Sequence, residues 1–375
     1  MKRKSPLRRL RWGRLLVLLA GLLWLAASWP TYQPPTQAHL QRRVSYLART
    51  IGEGLQPGTD LERLTQLNPE WGLFTLSFSV YGLANLSARQ PAFRPVAART
   101  MRQAVALALA APIRQPYGGL EADSVAGYAL PGSVLYLGHL NLMLGCLRQL
   151  EPATPYRTLH DSLSAQLYRR FGQAAGNLAS YPRLRWLPDN TVALASLALH
   201  SRLTGSPYQH AGQRWVARAH REWLDPATGL LASMADTAGR PTEEPRGSHL
   251  GWSIWFLARV DSAFAREQYQ LYQQHHSTNL GALRLYREFA GRYETGAGNV
   301  DSGPLLLGYG IPATTFAFAD AVALGDSRNA ARLRRVISLG SRETSDGRIT
   351  TRFLDLPVSP LSEALLLWAD VPARP

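Results

Sequence analysis

Past residue 38 one pattern repeats six times. A helical stretch with a polar face is followed by a loop, and the loop by a helical stretch that is apolar on almost every side. The pairs are 38–54 with 69–88, 94–111 with 131–150, 155–175 with 188–204, 208–224 with 247–260, 262–277 with 301–324, and 327–341 with 358–370. The second members include LFTLSFSVYGLANL, VLYLGHLNLMLGCL and NTVALASLALH. A helix apolar all round must be buried all round, whereas a one-sided helix covers a surface. Six such alternations predict an all-α domain over 38–375, an (α/α)6 toroid with six inner helices ringed by six outer ones. A superhelical solenoid would also stack helix pairs, but solenoid repeats resemble one another in sequence and these do not. With 46% hydrophobic and 18% charged residues the chain has ample core material and no signature of disorder.

The links are unequal. Those from an inner helix to the next outer helix are short, such as Thr204 to Pro207 and Gly325 to Asp326. Those from outer to inner are long: 112–130, 176–187, 225–246, 278–300 and 342–357. In a toroid every long link falls on one rim, above the N-terminal ends of the inner helices, where loops can build a site on a rigid scaffold. Asp225-Pro-Ala-Thr-Gly229 and Ser345-Asp346-Gly347 carry turn chemistry between short extended runs, so small β-hairpins are expected in that rim.

Residues 1–30 are of another kind. Seven basic residues in the first 14 lead into the apolar run Leu15–Trp29, and 31–37 read as a short Pro-rich spacer. Ala26, Ala27 and Ser28 suit a signal peptide's cleavage site. The bulky Trp29 and the basic flank suit an uncleaved anchor. The anchor is the preferred reading. It predicts a single-pass inner-membrane protein with a periplasmic or otherwise extracytoplasmic domain, or an exported one if the leader is cleaved. The run covers ~22 Å at 1.5 Å per residue, against ~30 Å of hydrocarbon.

The formal charge of +15 drops to +8 once those seven residues are set aside, and the remaining arginines are scattered. Neither a basic stripe nor a nucleic-acid module is present, so nucleic acid is not an expected partner. The single cysteine rules out an internal disulfide framework and a thiolate-rich metal site. HExxH, CxxC, P-loop, GxSxG and dinucleotide fingerprints are all missing, and no metal or cofactor is predicted. Cys146 lies within the apolar LMLGCL and reads as a buried structural thiol.

Polar residues gather at the starts of the apolar helices. In order they are Glu70 and Trp71 in NPEW, Tyr136 and His139, then Trp186, Asp189 and Asn190 in WLPDN. Arg246, His249 and Trp252 follow in RGSHLGW, and Asn299, Asp301 and Ser302 in NVDSGP, with Glu363 in PLSEA. Each has a plain structural account. Asp189 and Asp301 would cap helices, Glu70 and Glu363 suit a first turn, and His139 suits a hydrogen-bonded core position. What favours a site is their recurrence on one inferred rim beside aromatic residues. Two carboxylates across a cleft supply a general acid and a general base, and Trp and Tyr stack on sugar rings. Asp189 and Asp301 are the expected catalytic pair, with Glu70 and Glu121 in reserve and His249 as a base in an eliminating variant. Arg246 would clamp a substrate carboxylate. Trp71, Tyr136, His139, Trp186, Asn190, Trp252 and Tyr293 would line the substrate pocket.

The six-pair layout with acids and aromatics at inner-helix starts resembles the toroids of glycoside hydrolases, polysaccharide lyases and uronyl epimerases. WLPDNTVALASL and NVDSGPLLLGYGIPAT are also similar to bacterial toroids grouped with linalool dehydratase/isomerase. Cysteines take part in that enzyme's chemistry, whereas Cys146 is the only one here. The resemblance implies a carbohydrate-active enzyme whose partner is a glycan or other small molecule, and the N-terminal reading adds that it is extracytoplasmic and membrane-anchored. A non-catalytic envelope toroid binding a glycan or a partner, and a dehydratase/isomerase, are the alternatives.

Overall fold

The computed structural model describes residues 31–372, apart from 122, 174–175, 291–297 and 300, together with 13, 16–22 and 24 near the start. The six outer helices are α1 (Gln37–Glu53), α4 (Arg94–Leu109), α7 (Arg157–Gln173), α9 (His210–Glu222), α11 (Ser262–His276) and α13 (Ser327–Gly340). The inner ones are α3 (Pro69–Arg89), α6 (Val134–Leu150), α8 (Leu187–Thr204), α10 (Gly247–Leu257), α12 (Ile311–Ala323) and α14 (Pro360–Asp370). Among the described residues from 31 onward, two α-helices fall outside the six pairs: α2 (Asp60–Leu67) in the first long link and the single turn α5 (Ala111–Arg114) in the second. Each inner helix packs against the next, and α14 packs back on α3, which closes the ring.

Local chemistry starts the helices where the apolar pattern does. Asn68 caps α3 by accepting from the Glu70 N–H, with Pro69 in the first turn. Ser133 caps α6, and the Asp261 and Asp326 carboxylates cap α11 and α13. Inner helices approach closely where a side chain is missing. A Cβ on Gly82 of α3 would lie 2.9 Å from Leu367 Cγ of α14, and one on Gly251 of α10 would lie 2.6 Å from Phe316 Cβ of α12. Phe74 and Phe78, His139, Trp252 and Phe256, Phe316 and Trp368, from five of the six inner helices, interlock as edge-to-face and tilted rings at the centre. The toroid is filled along its axis there. A buried network fastens its ends: Arg43 of α1 donates to Glu343 at 2.7 Å and to Asp370 of α14 at 2.9 Å, and the Tyr32 hydroxyl donates to Asp370 at 2.6 Å.

Four two-stranded antiparallel hairpins sit in the long links: β1 (Asp123–Val125) with β2 (Tyr128–Leu130), β3 (Met234–Ala235) with β4 (Pro241–Glu243), β5 (Ser277–Asn279) with β6 (Arg284–Tyr286), and β7 (Ser341–Glu343) with β8 (Ile349–Thr351). The turns at 225–229 and 345–347 lie where expected, the first closed by the Leu224–Leu231 bridge and the second joining β7 to β8.

Two expectations need correction. The fifth inner helix starts at Ile311, ten residues after Asp301, so Asp301 caps no helix. Residues 301–310 contain Pro304 and the left-handed Gly303, Leu307 and Gly308, and they turn back on themselves through a Leu306–Tyr309 bridge. Among the described residues no helix is long and apolar enough to cross a membrane. The single-pass inner-membrane anchor, and the membrane as a partner through it, are therefore withdrawn. The physical reason is the shortfall already visible in the run's length, ~22 Å against ~30 Å.

Candidate active site

Four inner-helix starts and their links bring Glu70, Asp189, His249 and Asp301 within electrostatic reach of one another. Asp189 lies in the first turn of α8 and is 6% exposed. The preceding link is clipped to it by Asn190, whose carboxamide donates to the Leu178 and Trp186 carbonyls at 3.1 and 2.9 Å and accepts from the Leu178 N–H at 2.9 Å. The Trp186 ring meets the His249 ring edge to face at 5.0 Å. His249 Nε2 lies 3.6 Å from the Asp301 carboxylate, and Asn299 holds the Asp301 turn by accepting from the Asp301 and Ser302 N–H groups. From the other side, Glu70 at the start of α3 accepts a short hydrogen bond from the Tyr181 hydroxyl.

These surroundings push the carboxyl groups apart in proton affinity. Burial raises Asp189 well above the ordinary aspartate range, and the charges of Glu70 and Asp301 add to that rise against the Ser180 hydroxyl. Burial likewise raises Glu70, opposed by Tyr181. For Asp301 burial acts upward but is outweighed by the His249 ring and the Arg246 guanidinium, and the net shift is downward. One carboxyl raised and another lowered in the same cluster is the kind of separation that divides acid from base roles.

Arg246 occupies the residue just before α10 without a side-chain cap, and is 2% exposed. Its guanidinium donates to Glu288 at 2.9 Å and to Asn299 at 2.7 Å, and lies 3.5 Å from Glu243 and 3.6 Å from Asp301. Every face expected to clamp a substrate is thus turned to a neighbour. Trp71 is half-buried beside Glu70, and Glu121 is exposed in the link before β1. Three residues placed on the pocket wall from sequence sit deeper. The Tyr136 hydroxyl donates to the Ala108 carbonyl at 3.0 Å. His139 is fully buried against Tyr81 and Ser77, and burial pushes its ring down to about 3. Trp252 is 8% exposed within the axial aromatic stack. Tyr293 lies outside the described residues. His276, at the end of α11, is buried with Nδ1 3.1 Å from the Arg287 carbonyl.

Tyr181, Glu243 and Glu288 went unselected in the sequence. Tyr181 and Glu288 sit in irregular link segments, where neither helical period nor strand alternation marks which side chains face inward. The Glu288 carboxylate is fully buried and accepts from Arg246, the Ser248 N–H at 3.0 Å and the Ser248 hydroxyl at 2.7 Å. Among the described residues one trio could offer metal ligands, His160, Asp161 and His200. His200 is eleven residues past Asp189 on α8, ~16 Å along the helix, and Arg148 already pairs with Asp161.

No family model matches the chain. In three dimensions it is similar to a family 105 glycoside hydrolase from C. acetobutylicum ATCC 824, at 13% identity and a TM-score of 0.55 over 86% of this chain and 98% of the other. It is also similar to an unsaturated glucuronyl hydrolase specific for heparin, at 11% identity and 0.57 over 88% and 95%. A third is an alpha-1,6-mannanase from a Salegentibacter species, at 12% identity and 0.52 over 87% and 98%. At these identities the likeness is one of fold, the (α/α)6 toroid.

Proposed function

We propose that this protein is a carbohydrate-active enzyme, a glycoside hydrolase acting on a neutral glycan at the long-link rim of the toroid. Asp189 is the proton donor to the departing oxygen. Asp301 is the ionised carboxylate that works opposite it, with His249 and Trp186 shaping the wall between them. The observation that carries this reading is the opposite displacement of the two aspartates in proton affinity within one cluster. The fold it shares with glycosidases and a polysaccharide lyase supports the class of substrate. The substrate's neutrality is inferred from Arg246, whose donors are already engaged by Glu288, Asn299 and Glu243, leaving a cluster richer in acids than in free cations. A uronate carboxylate brought there would face Glu70 and Asp301. An inactive variant of the similar mannanase has two adjacent aspartates replaced; this chain has no two aspartates side by side, so its chemistry would use carboxylates from separate elements.

The test is hydrolysis of two panels, neutral oligosaccharides including alpha-1,6-mannotetraose and unsaturated glucuronyl disaccharides, by the wild type and by Asp189→Asn and Asp301→Asn. The expected result is cleavage within the neutral panel and a loss of ~100-fold or more in each variant. Cleavage confined to the uronyl panel would overturn the substrate assignment. Failure to cleave either panel, or full activity in both variants, would overturn the enzymatic one.

A further inference from the structure

Asp301 faces the Arg246 guanidinium and the His249 ring, each at 3.6 Å, longer than a close ion pair. Arg246 makes its tight contacts elsewhere: Nε donates to Glu288 at 2.9 Å and NH2 to Asn299 at 2.7 Å. NH1, the nitrogen nearest Asp301, stays 3.6 Å away, and His249 Nε2 does the same. Glu288 is in turn fixed from three sides. Its carboxylate accepts only, from the guanidinium and from both the N–H and the hydroxyl of Ser248, the pattern of an anion. Its backbone accepts from the Gly247 N–H at 2.7 Å and donates to the Gly308 carbonyl at 3.0 Å. One residue therefore ties the start of α10, which carries Arg246 and His249, to the 301–310 turn, which carries Asp301. A Cβ on Gly247 would lie 2.2 Å from the Arg287 carbonyl oxygen, so this junction has no slack.

We propose that Glu288 is a positioning residue for the reaction: by taking the Nε edge of Arg246 it holds the guanidinium off Asp301 and leaves that carboxylate ionised but unclamped. A carboxylate in a close, two-pronged pair with arginine loses one to three units of proton affinity and much of its ability to accept a proton or to attack. Among the described residues, the titratable and charged groups that face Asp301 are Arg246 and His249 from the start of α10, Glu70 from α3, Asp189 from α8 and Tyr181 from the link before α8, while Glu243 from β4 and Glu288 reach it through Arg246. Of these, Glu288 makes the shortest contact between Arg246 and a carboxylate. Removing its charge frees one edge of the guanidinium and leaves the cation less balanced, and both effects lower the proton affinity of Asp301.

This inference rests on the assignment of Asp301 above, and its test reads the carboxyl group without substrate. The intact protein is labelled with 13C at aspartate side-chain carboxyls, the Asp301 signal is identified by its loss in Asp301→Asn, and it is titrated in the wild type, in Glu288→Gln and in Ser248→Ala. Glu288→Gln is expected to move the Asp301 midpoint down by about half a unit or more, and the acidic limb of kcat/KM with it, with turnover falling ~10-fold. Ser248→Ala, which removes one donor to Glu288 but no charge, is expected to leave the midpoint within about 0.2 units. An unmoved or raised midpoint in a folded Glu288→Gln protein would overturn the proposal, as would equal shifts in the two variants. If no glycan is cleaved, the titration still decides the role of Glu288, and the functional reading fails separately.

Discussion

Replacing Asp189 by asparagine separates a structural role in the first turn of α8 from chemistry. The side chain is 6% exposed in the first turn of α8, and its Oδ2 meets no donor among the described residues. Asparagine matches its size and suits a helix start about as well, so packing and capping should change by about 1 kcal/mol or less. The wild-type carboxyl, raised by burial, keeps a proton in the folded protein that the unfolded chain releases just above pH ~3.9. The stability tied to that proton is therefore complete below pH ~3.9 and is lost as pH rises toward the folded-state value, at up to about 1.4 kcal/mol per pH unit. Asparagine has no proton to lose. Urea denaturation should find the variant equal to the wild type within about 1 kcal/mol at pH 4 and more stable than it at pH 7. Turnover should move the other way, by ~10²- to 10⁴-fold for a lost proton donor, or about 3 to 5 kcal/mol of barrier. A variant that loses the same stability at both pH values and keeps its turnover would refute the reasoning and leave Asp189 a structural residue of the first turn.

Other parts of the ring give independent checks. Arg43→Ala removes the closest cation from the buried Asp370 carboxylate, which keeps Tyr32 at 2.6 Å and Arg334 at 3.7 Å, and should lower stability by about 3 kcal/mol, the low end for breaking a buried pair; a loss under about 1 kcal/mol by denaturant titration would show that the network does not fasten the ring. Glu363 is fully buried and accepts from the Ile349 N–H, and burial pushes its carboxyl up to about 8 from an ordinary 4.5. Wild-type stability should fall as pH rises through that window, and Glu363→Gln should flatten the fall; curves that stay parallel from pH 5 to pH 8 would contradict it.

The inner and outer helices could be read in the sequence because a helix apolar on every face has one place to go. For α8 and α14 the expected and observed limits differ by two residues or fewer. The reading failed where backbone chemistry overrode hydropathy. LLLGYGIPAT is as apolar as the helix that follows, yet Leu307 and Gly308 adopt left-handed conformations and delay α12 to Ile311. Helix α2 escaped notice because its eight residues fall inside a loop-length gap. In the site, WLPDN and RGSHLGW were legible as polar interruptions of apolar runs, and they carry Asp189, Arg246 and His249. The depth of a side chain was not legible: Tyr136 and His139, expected to line the pocket, are fully buried in the core, because an all-round apolar helix does not declare which side is lumen. Tyr181 and Glu288 are fixed by contacts across links far apart in sequence, and no local pattern announces such contacts.

The junction of Arg43, Tyr32 and Asp370 joins the beginning of the ring to its last helix. During synthesis α3 is made nearly three hundred residues before α14, the neighbour that covers one of its flanks. Until then Gly82 and the apolar surface around it face an open notch that the chain's final turn alone is shaped to fill. A linear stack can lose an end repeat and keep the rest folded. A ring that loses α14 leaves two apolar flanks bare, and a truncated or stalled chain becomes a template for a second copy's last helix, the geometry of a domain-swapped dimer. The same adjacency makes the protein a natural subject for circular permutation: joining residues near 32 and 370 and opening a short link such as 205–209 would move the notch to a new place in the order of synthesis without altering the long-link rim.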